Sequence, residues 1–77
     1  MESNRIKDLK AVIEALVIAE GREKRSYDFY VKAATKAQNP AAKVLLLDLA
    51  EEENQHRQEM EKRIEEFKTE LGREFER

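Results

Sequence analysis

The stretch KAQNP, residues 36–40, decides the fold because it interrupts a helical pattern that runs through the rest of the chain. Asn39 suits the position that caps the start of a helix, and Pro40 suits the first helical turn, where its missing N–H is not needed. One helix therefore ends here and another begins. Two helices joined by so short a turn must lie antiparallel, as a helical hairpin.

On both sides of this turn, apolar and small residues recur at steps of three and four, the spacing of one helical face. The first repeat consists of Ile6, Leu9, Ile13, Leu16, Tyr27, Tyr30, Ala34 and Ala37, and the second of Ala42, Leu46, Leu49, Met60, Phe67 and Leu71. Ser3 is the predicted N-cap of the first helix, and Gly72 is the predicted stop of the second. Residues 1–77 are thus predicted to form one all-α domain with a helix at about 3–37, a turn at 38–40, a helix at about 40–71 and a frayed tail at 72–77.

The composition excludes several classes of protein. The chain has 42% charged residues, a net charge of −2 and no cysteine. Interleaved acidic and basic residues form no basic stripe for nucleic acid, and the missing thiols exclude disulfides and thiolate-bound metal centres. The longest apolar stretch, AVIEALVIA at 11–19, is too short for a membrane span, and the first residues lack the apolar core of a signal peptide. We expect a soluble, cytoplasmic protein.

A single hairpin of this size cannot cover its own apolar stripes. The chain has 77 residues and 40% apolar content, which is modest for an independent core. A second copy would cover the remaining stripe and complete a four-helix bundle. We therefore predict a homo-oligomer, either a dimer or an even multiple such as a ring.

Polar residues interrupt both stripes once. In the first helix, the steps of three and four pass through Glu20 and Glu23, with Glu23 nearer the centre of the apolar arc. In the second helix, the stripe continues from Leu49 through Glu53 and His56 before it returns to apolar residues. The aromatic residues at 27–30 are expected to pack in the core.

The two interruptions lie at the same height. Glu23 and Glu53 are each about fifteen residues from the turn, which corresponds to roughly 22 Å of helix. Residues three apart share a helical face, so Glu53 and His56 can meet the carboxylate of Glu23. Burying unpaired carboxylates costs several kcal/mol, and a bound cation offsets this cost most directly. The spacing therefore predicts a metal site.

Other interpretations of the polar residues stay open. Glu51 and Glu52 are expected to face solvent, and the whole acidic run at 51–53 could be an ordinary solvated face. Glu20 either pairs with Lys24, lies at the bundle surface or contributes to a subsidiary cation site. Tyr30, two turns from Glu23, is the aromatic residue best placed to hydrogen-bond a ligand carboxylate.

A set of residues between positions 15 and 56 resembles a known family. Its members are Glu23 seven residues before the Tyr of the pair Phe29–Tyr30, a loop with Pro40, a Leu-rich turn and the motif Glu53-x-x-His56. Together they resemble the first helical pair of the rubrerythrin and ferritin-like superfamily. The short length and single copy of each half-motif are most similar to the two-helix encapsulated ferritins.

The resemblance implies that Glu23, Glu53 and His56 bind metal and carry the catalysis, with two irons held by each pair of subunits. The implied activity is oxidation of Fe(II), for iron storage or detoxification, with an encapsulin shell as a candidate partner. The alternatives are peroxide scavenging with electrons from a separate protein, and a non-enzymatic assembly module whose Glu and His are structural. Manganese or zinc could replace iron, since both accept oxygen and nitrogen ligands.

Overall fold

The computed structural model describes residues 2–76 as two long helices packed antiparallel. Helix α1 spans Asn4–Lys36 and helix α2 spans Pro40–Phe75. The described chain contains no strand and forms a rod of 58 × 16 × 12 Å. This confirms the all-α hairpin, whereas its pairing into a four-helix bundle stays a prediction. Neither helix of the described range offers an apolar stretch that would cross a bilayer.

The turn is built as its residues predict. The backbone leaves the helical conformation at Ala37, where φ is −71° and ψ is 131°. Asn39 then caps α2, because its Oδ1 accepts hydrogen bonds from the N–H groups of Ala41 at 2.8 Å and Ala42 at 3.1 Å. Pro40 occupies the first helical position, where no hydrogen bond from its nitrogen is required. These local interactions fix where the chain reverses.

The predicted end of α2 is wrong. The helix passes through Gly72 and continues to Phe75, and no residue in the described range has a positive φ. Arg5 of α1 holds this extension, since its Nε donates to Glu74 Oε1 at 2.7 Å and the Glu74 side chain is only 11% exposed. The hydrogen bond that Arg5 donates to Glu74 raises the pKa of Arg5 above its ordinary value. Residues 72–75 of the predicted tail are therefore helical.

The core of the hairpin is small. The buried apolar residues of the described chain are Leu9, Ala34, Ala50 and Ile64. Small alanine side chains let the two helices approach closely, and half-buried residues border this seam on both sides. The core is a narrow strip along each helix.

Many large apolar side chains remain exposed. They are Val17, Ile18, Tyr27, Phe29, Val44, Leu45, Leu47 and Phe75. The expectation of core aromatics at 27–30 is wrong for Phe29, which is 65% exposed, and for Tyr27, which is 36% exposed. Contact between two helices covers only one face of each. These side chains are available for contact with a further partner.

Candidate metal centre

Three side chains converge midway along the rod. Glu23 of α1 and Glu53 and His56 of α2 each place one donor atom so that all three atoms lie within 4.8 Å of one another. Within this cluster, Nδ1 of His56 in α2 lies 3.8 Å from Oε2 of Glu23 in α1. The structure thus brings together the three residues that the sequence spacing selected. Their role as metal ligands stays a prediction.

The hairpin geometry explains this convergence. Glu53 and His56 are three residues apart in α2, so both side chains leave the helix toward the same side. The turn sets the register of α1 against α2, and it brings Glu23 to the height of this pair. The site therefore depends on the length of each helix between turn and ligand.

The carboxylate of Glu23 carries an unsatisfied atom. Its side chain is 22% exposed, and its Oε2 is buried without a hydrogen-bond partner. A buried carboxylate oxygen without a partner destabilises the folded state, because the hydration it loses is not replaced. A cation bound between Glu23, Glu53 and His56 would replace that hydration, so the residues present fit a metal ion.

Arg57 is a charged residue in the seam that the sequence prediction missed. It is half-buried one turn after Glu53, but its guanidinium donates to Asn54 Oδ1 at 3.2 Å and lies 4.0 Å from Glu61. It therefore does not satisfy Glu23 Oε2. The helical spacing of Arg57 could have indicated its place in the seam, because it is four residues after Glu53 and three before Met60.

His56 lies at the border of the seam and not within it. Its side chain is 58% exposed, whereas the predicted stripe ran through this residue to Met60. In the structure the half-buried track of α2 runs from Glu53 through Arg57 to Met60, and Ala42, also predicted for the stripe, is exposed. The imidazole therefore faces both Glu23 and the outside of the hairpin.

The donor atoms define the metals that suit the site. Two carboxylates and an imidazole are a set of oxygen and nitrogen ligands that iron, manganese and zinc accept. In ferritin-like di-iron bundles, a Glu from each of two helices and a Glu-x-x-His motif from each of the other two form the complete set. One hairpin supplies half of that set, and two copies would supply all of it.

The remaining candidate residues lie outside the cluster. Glu20 is half-buried and makes no ion pair within residues 2–76, so its expected partner Lys24 does not hold it. Tyr30 is half-buried with its ring edge-to-face against Phe29, and its hydroxyl does not bond Glu23 Oε2, because that atom accepts no hydrogen bond. Glu52 is exposed, as its expected solvated position requires.

A protein-family model described as rubrerythrin matches residues 2–72, which include both helices almost completely. The chain belongs to the rubrerythrin family. The resemblance found in the sequence is confirmed, and the rubrerythrin family places the hairpin among ferritin-like di-iron proteins. Comparison with curated proteins and with solved structures gave no match. The rubrerythrin match spans all three residues of the cluster.

Proposed function

We propose that two copies of this chain pair into a four-helix bundle and oxidise Fe(II) at a site shared between them. The observation that carries the proposal is the half-site formed by Glu23, Glu53 and His56, whose imidazole is 58% exposed on the outside of the hairpin. A second half-site placed against it would complete the ligand set of a di-iron bundle. The exposed apolar residues supply further surface for that contact.

The chemistry of the side chains suits iron as the substrate. Each Fe(II) gives up one electron to dioxygen or peroxide, and the hard oxygens of Glu23 and Glu53 favour the Fe(III) product. The imidazole of His56 offers Nδ1, the atom that faces Glu23, as a ligand atom toward the site. The half-exposed border of the seam leaves the cluster accessible to ions from solution.

The test is the aerobic addition of Fe(II) to wild type, His56→Ala and Glu52→Ala. We expect His56→Ala to lose catalysed oxidation and stoichiometric iron binding, because it removes one donor of the set, while circular dichroism shows unchanged helicity. Glu52 is exposed and outside the cluster, so Glu52→Ala should behave as wild type. Loss of oxidation in Glu52→Ala with retention in His56→Ala would contradict the assignment.

Membership in the rubrerythrin family supports a second candidate function, the reduction of peroxide with electrons from a separate protein. The two functions use the same residues but differ in oxidant. Stopped-flow measurements on the iron-loaded protein, with dioxygen and with peroxide in turn, distinguish them. A ferroxidase keeps oxidising added Fe(II) over many cycles, whereas a peroxide scavenger consumes peroxide only while an electron donor is supplied.

A further inference from the structure

A groove of about 240 Å³, termed the His56 groove, opens on α2 next to the candidate metal centre. Its lining residues are His56, Glu59, Met60 and Arg63, which follow one another at the spacing i, i+3, i+4 and i+7. Four residues at this spacing form the hole into which a side chain of a packed helix inserts. The His56 groove therefore has the form of a site for one side chain of another helix.

Leu49 lies on the same face of α2 as the His56 groove. Leu49, His56 and Arg63 are seven residues apart, and residues at this spacing share one face of a packed helix. The half-site opens through this face, because the His56 side chain is 58% exposed. A contact that joins two half-sites therefore includes both the half-buried Leu49 and the groove.

Leu49 and the His56 groove are equally far from the metal centre, in opposite directions along the rod. Measured from the midpoint between Glu53 and His56, Leu49 is about 8 Å toward the turn. The centre of the groove, between Glu59 and Met60, is about 8 Å toward the open end. A two-fold axis perpendicular to the rods at this height stacks α2 of one copy on α2 of the other, in opposite directions. Leu49 of each copy then lies over the groove of the other.

The charges at the two poles of the rod favour this axis. Residues 30–48, at the turn, carry three lysines and one aspartate, a net charge of +2. Residues 2–17 and 60–76, at the open pole, carry nine acidic and seven basic residues, a net charge of −2. Surface charges act over about 10 Å in 0.1 M salt, which is much less than the 58 Å rod. Antiparallel copies place opposite charges side by side at each pole, whereas parallel copies place like charges together.

A two-fold axis parallel to the rods fits the His56 groove less well. It would place α1 of the partner over the groove, at the height of Ala19, which is four residues from Glu23 toward the open end. Ala19 is on this side of the hairpin because it is two heptads after Arg5, which contacts Glu70 at 3.1 Å, and Glu70 is two heptads after His56. A methyl group would leave most of the groove unfilled, whereas the cores of protein interfaces are packed as densely as protein interiors.

We infer that Leu49 of one copy inserts into the His56 groove on α2 of the second copy. The inference rests on the proposed function, because it needs the two half-sites to meet. The contact forms twice in the dimer, once on each side of the axis. Glu59 and Arg63 can pack their methylene groups against leucine while their charged ends stay in solvent. The leucine covers the exposed part of the imidazole, so each copy restricts the access of water to His56 of the other.

The test uses single cysteines, because the chain has none. Leu49→Cys and Glu59→Cys chains with different affinity tags are coexpressed, and the mixed dimers are oxidised mildly in the presence of Zn²⁺, which has no redox chemistry of its own. The two substituted positions meet across the proposed contact. Identical positions of two copies would be about 13 to 17 Å apart along the helices, beyond the reach of a disulfide, so each variant alone should form no covalent dimer.

The matched control is Ala19→Cys coexpressed with Glu59→Cys, the pair that an axis parallel to the rods would bring together. Ultracentrifugation gives the dimeric fraction of every sample, and Fe(II) oxidation is measured on wild type. We expect covalent dimers from the Leu49 and Glu59 pair and severalfold fewer from the control pair.

Two outcomes separate this inference from the proposed function. A wild-type dimer that oxidises Fe(II), while the Leu49 and Glu59 pair gives no more covalent dimer than the control, would overturn the inference and leave the proposed function standing. A chain that stays monomeric at all concentrations, with and without Zn²⁺, and oxidises no Fe(II) would overturn both.

His56 allows an independent measurement, because it is the only histidine of the chain. In Zn²⁺-loaded dimers of one ¹³C-labelled and one unlabelled copy, we expect intermolecular nuclear Overhauser effects between the His56 ring and the Leu49 methyl groups. Within one copy the two residues are about 10 Å of helix apart, too far for such a signal. Leu47 lines a different groove together with Val31 and is the control, for which we expect no signal. A dimer without the signal from Leu49 would contradict the inference.

Discussion

At the scale of single residues, Glu23 dominates the electrostatics of the site. It contributes the one carboxylate of α1 to the cluster, and its buried Oε2 has no hydrogen-bond partner. Arg57, a half-buried cationic residue of the seam, is engaged by Asn54 and Glu61. The metal-free hairpin therefore leaves this buried oxygen without a hydrogen-bond partner.

We expect Glu23→Gln to stabilise the metal-free protein by about 0.5–1 kcal/mol, because an amide is less costly to bury than an unpaired carboxylate. In the presence of a divalent metal the order should reverse, since wild type gains a ligand that the variant lacks. Urea denaturation with and without Zn²⁺ measures both effects. Exposed Glu52→Gln is the control and should change neither value by more than about 0.5 kcal/mol. Destabilisation of the metal-free Glu23→Gln protein would contradict this account of the site.

The sequence predicted the members of the cluster but not the exposure of each. Heights along the helices follow from counting residues to the turn, and this count brought Glu53 and His56 to Glu23. The rotation of α2 about its own axis does not follow from such a count. From Glu53, a step of three leads to His56 and a step of four leads to Arg57, and both steps fit a helical face. Because Ala50 and Ile64 are buried, the face of α2 that contains Arg57 is the one that packs against α1.

At the scale of the helices, the two ends of α2 differ in how they are fixed. Its beginning depends on Asn39 and Pro40, which act on their immediate neighbours and could be recognised from the sequence. Its end depends on Arg5, which is 69 residues away from its partner Glu74. A local rule that stops helices at glycine cannot include this contact, and the extension to Phe75 could not be predicted from the residues around Gly72.

Gly72→Ala tests the extension of α2. A Cβ at this position would meet nothing within 4 Å, and the backbone has no positive φ. Alanine should therefore stabilise the protein by about 0.5–1 kcal/mol, because it loses less backbone entropy on folding than glycine. Thermal or urea denaturation measures the change. If α2 ended before this residue, the substitution would give no gain.

At the scale of the whole molecule, the hairpin buries little apolar surface between its two helices. Among residues 2–76, four apolar residues are buried between the helices, while eight large apolar side chains stay exposed. Domains of this size usually need a metal or a partner in addition to their core. Here a shared metal site and a second copy would provide both, and each would support the other.

We expect the melting temperature to rise with protein concentration and to rise further when Zn²⁺ or anaerobic Fe(II) is added. Both effects follow from mass action, because the metal and the second copy bind the folded chain. At a metal concentration of 100 times its Kd, the added stability would be about 2.7 kcal/mol. His56→Ala should remove the metal-induced rise and keep the concentration dependence. A wild-type melting temperature that changes neither with protein concentration nor with added metal would exclude a shared site.

The beginning of α1 and the end of α2 lie together at one pole of the rod. Arg5 and Glu74 are in contact there at 2.7 Å, and the turn lies at the opposite pole. In a dimer whose two-fold axis is perpendicular to the rods, the open pole of one copy would lie beside the turn of the other. A tandem duplication that joined two such hairpins would need a connection along the full 58 Å rod, about 18 extended residues. The product would be a single-chain bundle with one long crossover, which is the connectivity of ferritin-like folds.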